Sequence, residues 1–182
     1  MGAGVTEDFL SQPARCALRC ERPPCIAALH NKAPGWLIEF YEAYIAADEK
    51  RLDAILHDDV YWLLSGPADH IDMFGLRRGK AAAIEFVTKI IPCYFQIVGF
   101  EIEQVLVQGE NAATCGRVCS VQRETRRAIR FGYAHFLRFK DGKLLSMRAV
   151  ADSFDAMEQL RGCQIEVTGQ TSLVPDCDVM AV

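Results

Sequence analysis

The stretch Phe95–Asp152, "FQIVGFEIEQVLVQGENAATCGRVCSVQRETRRAIRFGYAHFLRFKDGKLLSMRAVAD", decides the fold. It breaks into three long β-type runs, Phe95 to Gln108, Ala112 to Arg123 and Arg126 to Lys140, and a fourth from Lys143 to Ala151. "GEN", "ET" and "DG" separate them as hairpin turns, so the four runs predict an antiparallel meander. Within the third run Ile129, Phe131, Tyr133, His135, Leu137 and Phe139 alternate and therefore share one sheet face.

Before the meander the pattern is helical. Leu37, Phe40, Tyr41 and Tyr44 recur at helical spacing from Trp36 onward. Asp48 is placed to cap a second helix carrying Leu52, Ile55 and Leu56 inward. "HDDVYWLLSGP" reads as a turn feeding a short strand closed by Gly66 and Pro67. "ADHIDMFGLRRGK" lacks a period and reads as a loop, in which His70 and Asp72 would stand over a pocket mouth. A third helix follows with Ala83, Ile84, Val87, Ile90 and Ile91 on one face, limited by Pro92. A short last helix, Asp155 to Leu160, stops at Gly162. Helices, an early strand and a curved meander describe an α+β domain in which helices cover one face of a bent sheet.

At 182 residues and 51% hydrophobic, the chain supports one sizeable core. Residues 1–35 read as an extension, 36–162 as the domain and 163–182 as a tail. A net charge of −4 offers no footprint for nucleic acid, and Arg123, Arg126, Arg127 and Arg130 read as a solvated strand end. No apolar run approaches the roughly 18 residues of a membrane span, and Glu7 and Asp8 stand where a signal peptide would be basic or apolar.

Of eight cysteines, Cys93, Cys115 and Cys119 fall in apolar segments as small hydrophobes. Cys115 and Cys119, four apart on one strand, lie about 13 Å from each other, too far for a disulfide. A reducing, cytoplasmic setting is the expectation. Cys16, Cys20, Cys25 and His30 carry zinc-ligand chemistry but match no compact finger spacing, so the expectation is no metal. No phosphate-cradling glycine loop is present, and no cofactor is expected.

The element order, together with "FYEAYIAADEKRLDAILHDDVYW", "GLRRGKAAAIEFV", "YAHFLRFKDGKLLSMRAVAD" and "AMEQL", resembles the nuclear transport factor 2-like superfamily, and within it the SnoaL-like branch. The resemblance covers about Trp36 to Gly162. It implies a cone-shaped half-barrel whose concave sheet and N-terminal helices enclose an apolar pocket, within a homodimer formed through the sheet. Reaction is less constrained, because the superfamily includes isomerases, polyketide cyclases, epoxide hydrolases, dehydratases and members without catalysis.

Carried over residue by residue, most catalytic patterns of the superfamily fail. The general base of ketosteroid isomerases falls at about Leu64, and their oxyanion-hole positions fall near Phe40, with Tyr41 beside it, and at His135. The "WRDYFD" stretch of limonene epoxide hydrolases lines up with Met147 to Asp152, where the first Asp becomes Ala149 while Arg148 and Asp152 survive. The SnoaL-like cyclases match "ADSFDAMEQL" best, and in them an aspartate in this region is the acid/base of a ring closure.

Asp152 is thus either a helix N-cap or a pocket carboxylate. The latter needs a water-poor wall, which Tyr41, Tyr44, Trp62 and Tyr133 are the candidates to build, and Tyr94 joins them as an aromatic that is either core or ligand contact. His135 is either a hydrogen-bonded core residue or a pocket group with a pKa near neutrality, suited to proton transfer or to polarising a carbonyl. Arg148 lies about 13 Å from Asp152 along the strand and either binds an anionic group or sits at the dimer surface. Alternation leaves open whether the 148/150/152 face or the 147/149/151 face lines the pocket. Two functions stay in view: a cofactor-free acid/base enzyme acting beside a carbonyl of a small, mostly apolar ligand, and a non-catalytic binding or dimerisation module.

Overall fold

The computed structural model describes Leu29 and residues 33–66 and 73–162. Cys16, Cys20, Cys25 and His30, as well as His70, Asp72 and the tail beyond Gly162, lie outside them. Helix α1, Gly35–Ala46, buries Leu37, Phe40, Tyr41 and Ala43, the face that its helical spacing predicts. It ends at Ala47 in the left-handed region (φ 49), whose N–H returns to the carbonyls of Ala43 and Tyr44. Helix α2, Glu49–Ile55, is capped as expected: Asp48 accepts from the Arg51 N–H at 3.1 Å. Leu56 is not its last inward residue but opens strand β1, Leu56–Ser65.

A second correction lies in the supposed loop. Gly75–Arg78 forms strand β2, antiparallel to β1 with Trp62 opposite Arg77. Four residues with two arginines carry too little apolar alternation to announce a strand; pairing with β1 makes it one.

The next helix also runs past its expected stop. It begins as α3, Lys80–Glu85, passes through a π-helical turn, Phe86–Ile90, and finishes as α4, Ile91–Tyr94. The Ile91 N–H reaches the Phe86 carbonyl, and this wider turn gives the Pro92 ring room it would lack against an ordinary preceding α-turn.

Strands β3, Phe95–Gln108, β4, Asn111–Gln122, β5, Ala128–Lys140, and β6, Lys143–Ala151, form the predicted antiparallel meander. The sheet order is β2-β1-β6-β5-β4-β3, and β1 joins it parallel to β6. Helix α5, Ser153–Arg161, closes the domain and ends at Gly162 (φ 87). Two register shifts in β3, between Ile97 and Gly99 and between Ile102 and Gln104, bend the sheet.

One sheet face is covered by the helices. Ile129, Tyr133, His135 and Leu137 of β5 are buried on it, with Thr114, Val118 and Ser120 of β4 and Met147 and Ala149 of β6. The 147/149/151 face of β6 is therefore the inward one. Phe40, Tyr41, Trp62 and Phe86 are fully buried between helices and sheet. Cys93 is exposed, Cys115 half-buried and Cys119 buried. The arginine cluster is tied into the frame: the Arg123 guanidinium donates to the Pro92 carbonyl and that of Arg127 to the Leu160 carbonyl. Among the described residues no helix is long and apolar enough to cross a membrane.

Candidate functional site

Between α1, the π-helical segment, the sheet and α5 lies a cavity of about 100 Å³, several times what one water needs. Its wall is built largely from apolar and aromatic side chains, among them Trp62, Phe86, Phe100 and Phe131. No Asp, Glu, Lys or Arg lines it among the described residues. Leu64, at the place of the isomerase base, is part of the wall and supplies no proton acceptor.

The polar centre of the wall is His135. Thr114 and His135 are direct cross-strand partners on β4 and β5, and α1 lays Tyr41 across both. The Tyr41 hydroxyl stands 2.5 Å from Thr114 Oγ1 and 3.0 Å from His135 Nδ1. All three side chains are buried, so each polar atom needs its partner.

Counting protons orients this chain. Tyr41 has one proton to give, and no other acceptor for the Thr114 proton is present among the described residues. If Thr114 donates to the Tyr41 oxygen and Tyr41 donates to Nδ1, both hydroxyl protons are used and the one donor left over is the imidazole N–H. The imidazole is then the Nε2–H tautomer, and Nε2 is the nitrogen left for a ligand.

Burial fixes the charge state. It lowers the His135 pKa to about 3 and pushes the Tyr41 phenol well above its ordinary range, against a smaller lowering by the Thr114 hydrogen bond. The expectation that His135 titrates near neutrality is thereby corrected: stripped of water among Tyr41, Tyr44, Phe100 and Tyr133, it stays uncharged.

Tyr44, Trp62 and Tyr133 line the cavity. Burial raises Tyr44 to about 12, and the Tyr133 hydroxyl donates to the Glu101 carbonyl at 3.2 Å. Tyr41 acts from behind His135 rather than from the wall. Tyr94 does not take part: it is 37% exposed, at the end of α4.

Asp152 and His135 are not brought together. Asp152 is exposed, caps α5 by accepting from the Asp155 N–H at 3.1 Å, and is absent from the cavity wall. The strand ends at Ala151, and the carboxylate turns to the free N–H groups of the helix that follows. Arg148 is exposed on the opposite sheet face, in a shallow groove with Phe136 and Arg138.

Sequence reasoning missed Thr114 and Ser120. Ser120 is 1% exposed, lines the cavity, and its Oγ has no hydrogen-bond partner among the described residues. Both sit at even positions of β4, on the face shared by Ala112 and Val118, where alternation marks a hydroxyl as inward.

The sequence profile of the SnoaL-like domain matches residues 37–147. No curated protein matches the chain's sequence. Among solved structures, a proposed isomerase from Rhodopseudomonas palustris is 32% identical, with a TM-score of 0.66 over 71% of this chain and 98% of that one. TerC, co-crystallised with polyporic acid, is 16% identical, with a TM-score of 0.59 over 69% of this chain and 95% of that one. A proposed SnoaL-like polyketide cyclase from Jannaschia sp. CCS1 is 15% identical, with a TM-score of 0.56 over 68% and 88%. The last two likenesses are of fold alone. The profile spans more than half of the chain, and the order of helices and strands is that of the nuclear transport factor 2-like fold: the chain belongs to the SnoaL-like family.

Proposed function

We propose that this protein binds a small, mostly apolar molecule through a carbonyl oxygen, which accepts a hydrogen bond from Nε2–H of a permanently neutral His135. The observation that carries this reading is the buried Thr114–Tyr41–His135 chain ending at a cavity without a charged wall residue. A neutral donor in a largely apolar site is suited to an uncharged acceptor, because a carboxylate ligand would be desolvated there without a countercharge.

The hydrogen bond also polarises the carbonyl. Proton abstraction beside it, the step an isomerase, cyclase or dehydratase needs, requires a base that the described wall does not hold. Binding is therefore the favoured reading over acid/base turnover by Asp152.

Titration of 4-acetylbiphenyl, followed by fluorescence of Trp62 in the cavity wall, tests both. Its Kd is expected to weaken roughly 3- to 10-fold in His135→Phe, the worth of one neutral hydrogen bond. Asp152→Asn should leave it within twofold. Wild-type-catalysed exchange of the acetyl methyl protons with D₂O that disappears in Asp152→Asn would instead establish the carboxylate as a base and overturn the binding-only reading.

We further propose that two copies pair through the outer sheet face. Leu106 and Phe136 are exposed there by 72% and 53%, around the groove that also holds Arg138 and Arg148. Such an apolar patch on a sheet is the usual mark of an interface. Sedimentation should give twice the 20.3 kDa chain mass for the wild type and a monomer for Phe136→Asp; a wild-type monomer at tens of micromolar sinks the dimer.

A further inference from the structure

The unpartnered hydroxyl of Ser120 says something about the ligand's shape. Ser120 and His135 stand on the same inward face, but far apart along it: His135 is opposite Thr114, whereas Ser120 is opposite Ile129. Six residues of β4 separate Thr114 from Ser120, about 20 Å of extended chain. Ile97 and Ile129, which flank Ser120 on the neighbouring strands, belong to the same cavity wall as His135. The cavity wall therefore reaches from His135 to Ser120, with aromatic and aliphatic side chains between them.

A buried hydroxyl without a hydrogen bond destabilises a folded protein, and an apolar residue of the same size would fill the place at no such cost. Serine there is accounted for if a ligand supplies the missing partner. We propose that the ligand has oxygen functions at both ends: a carbonyl held by His135 and a hydroxyl or second carbonyl held by Ser120, joined by a rigid or extended apolar body. On a concave face the side-chain tips lie closer than the backbone, so the two oxygens are on the order of 10 Å apart or more. This rests on the carbonyl-binding reading of His135 and adds the second anchor to it.

Two ketones separate the claims: 4-acetylbiphenyl, with oxygen at one end, and 4-acetyl-4′-hydroxybiphenyl, with oxygen at both. In the wild type the hydroxylated ketone should bind roughly tenfold more tightly. In Ser120→Ala that gain should shrink to within twofold, with the affinity for 4-acetylbiphenyl retained. His135→Phe should weaken both ketones alike. The unliganded Ser120→Ala protein should melt no lower than the wild type, since it loses only an unsatisfied group.

Equal affinities of the two ketones in the wild type, or a gain that survives Ser120→Ala, overturn the second anchor. If His135→Phe still weakens both, the single-ended reading stands without it. A melting temperature several degrees lower in Ser120→Ala also overturns it, because the hydroxyl would then have a partner within the fold. Failure of both ketones to bind the wild type sinks both readings together.

Discussion

Gly116→Ala is expected to destabilise the protein by about 3–5 kcal/mol, at the severe end of single substitutions, as measured by urea unfolding against the wild type. Gly116 lies in the middle of β4, where glycine ordinarily weakens a strand. Here it makes room for the neighbouring chain: a Cβ would land on the carbonyl oxygen of Glu101. That carbonyl is turned inward beside the β3 bulge between Ile102 and Gln104, and it accepts the Tyr133 hydroxyl.

The obstacle is backbone, so no side-chain rotation relieves it. Either β3 is pushed away from β4, losing ladder hydrogen bonds, or the bulge is ironed out and the sheet loses curvature. Tyr133 then loses its acceptor while buried against His135 at 4.4 Å between ring centroids, so the damage reaches the cavity. A loss of less than 1 kcal/mol would mean that β3 can shift freely and that the bulge does not set the shape of the site.

How much of this was legible beforehand follows from what each feature depends on. The four meander strands declare themselves because alternation and hairpin turns are local properties, and Lys143–Ala151 falls where its pattern puts it. The β2 strand and the passage of the helix through Pro92 escape, because one depends on a partner strand and the other on a turn that widens by one residue.

The site divides in the same way. Alternation puts His135 and Tyr133 on the inward face, but nothing in the sequence says that Tyr41, 94 residues away, is hydrogen-bonded to His135 Nδ1. Nor does it say that the polar positions of β4 complete the chain. Asp152 misleads because a cap and a catalytic carboxylate ask for the same residue at the same strand exit; only the direction of the side chain separates them, and it points to the Asp155 N–H.

The charge state of His135 yields the other large effect, a steep and assignable loss of stability in acid. In the unfolded chain its pKa is about 6.5, whereas in the fold burial lowers it to about 3. The contribution of this neutral imidazole is thus fully present above pH 6.5. As pH falls from 6.5 towards 3 the unfolded state binds one proton that the folded state refuses, so stability drops by about 1.4 kcal/mol per pH unit from this group alone. At pH 4.5 the deficit is about 3 kcal/mol relative to pH 7.5.

Urea unfolding of the wild type and His135→Phe at pH 7.5, 5.5 and 4.5 isolates it. The carboxylates are common to both proteins and cancel in the difference, so the wild-type curve should fall away from the variant's below pH 6.5. Parallel curves would mean that the folded protein protonates His135 as readily as the unfolded chain does. The imidazole would then change charge in the range where its neutrality makes it a hydrogen-bond donor to an uncharged carbonyl. A diverging pair of curves, by contrast, ties acid sensitivity to the same lack of water that gives a single hydrogen bond its weight in the cavity.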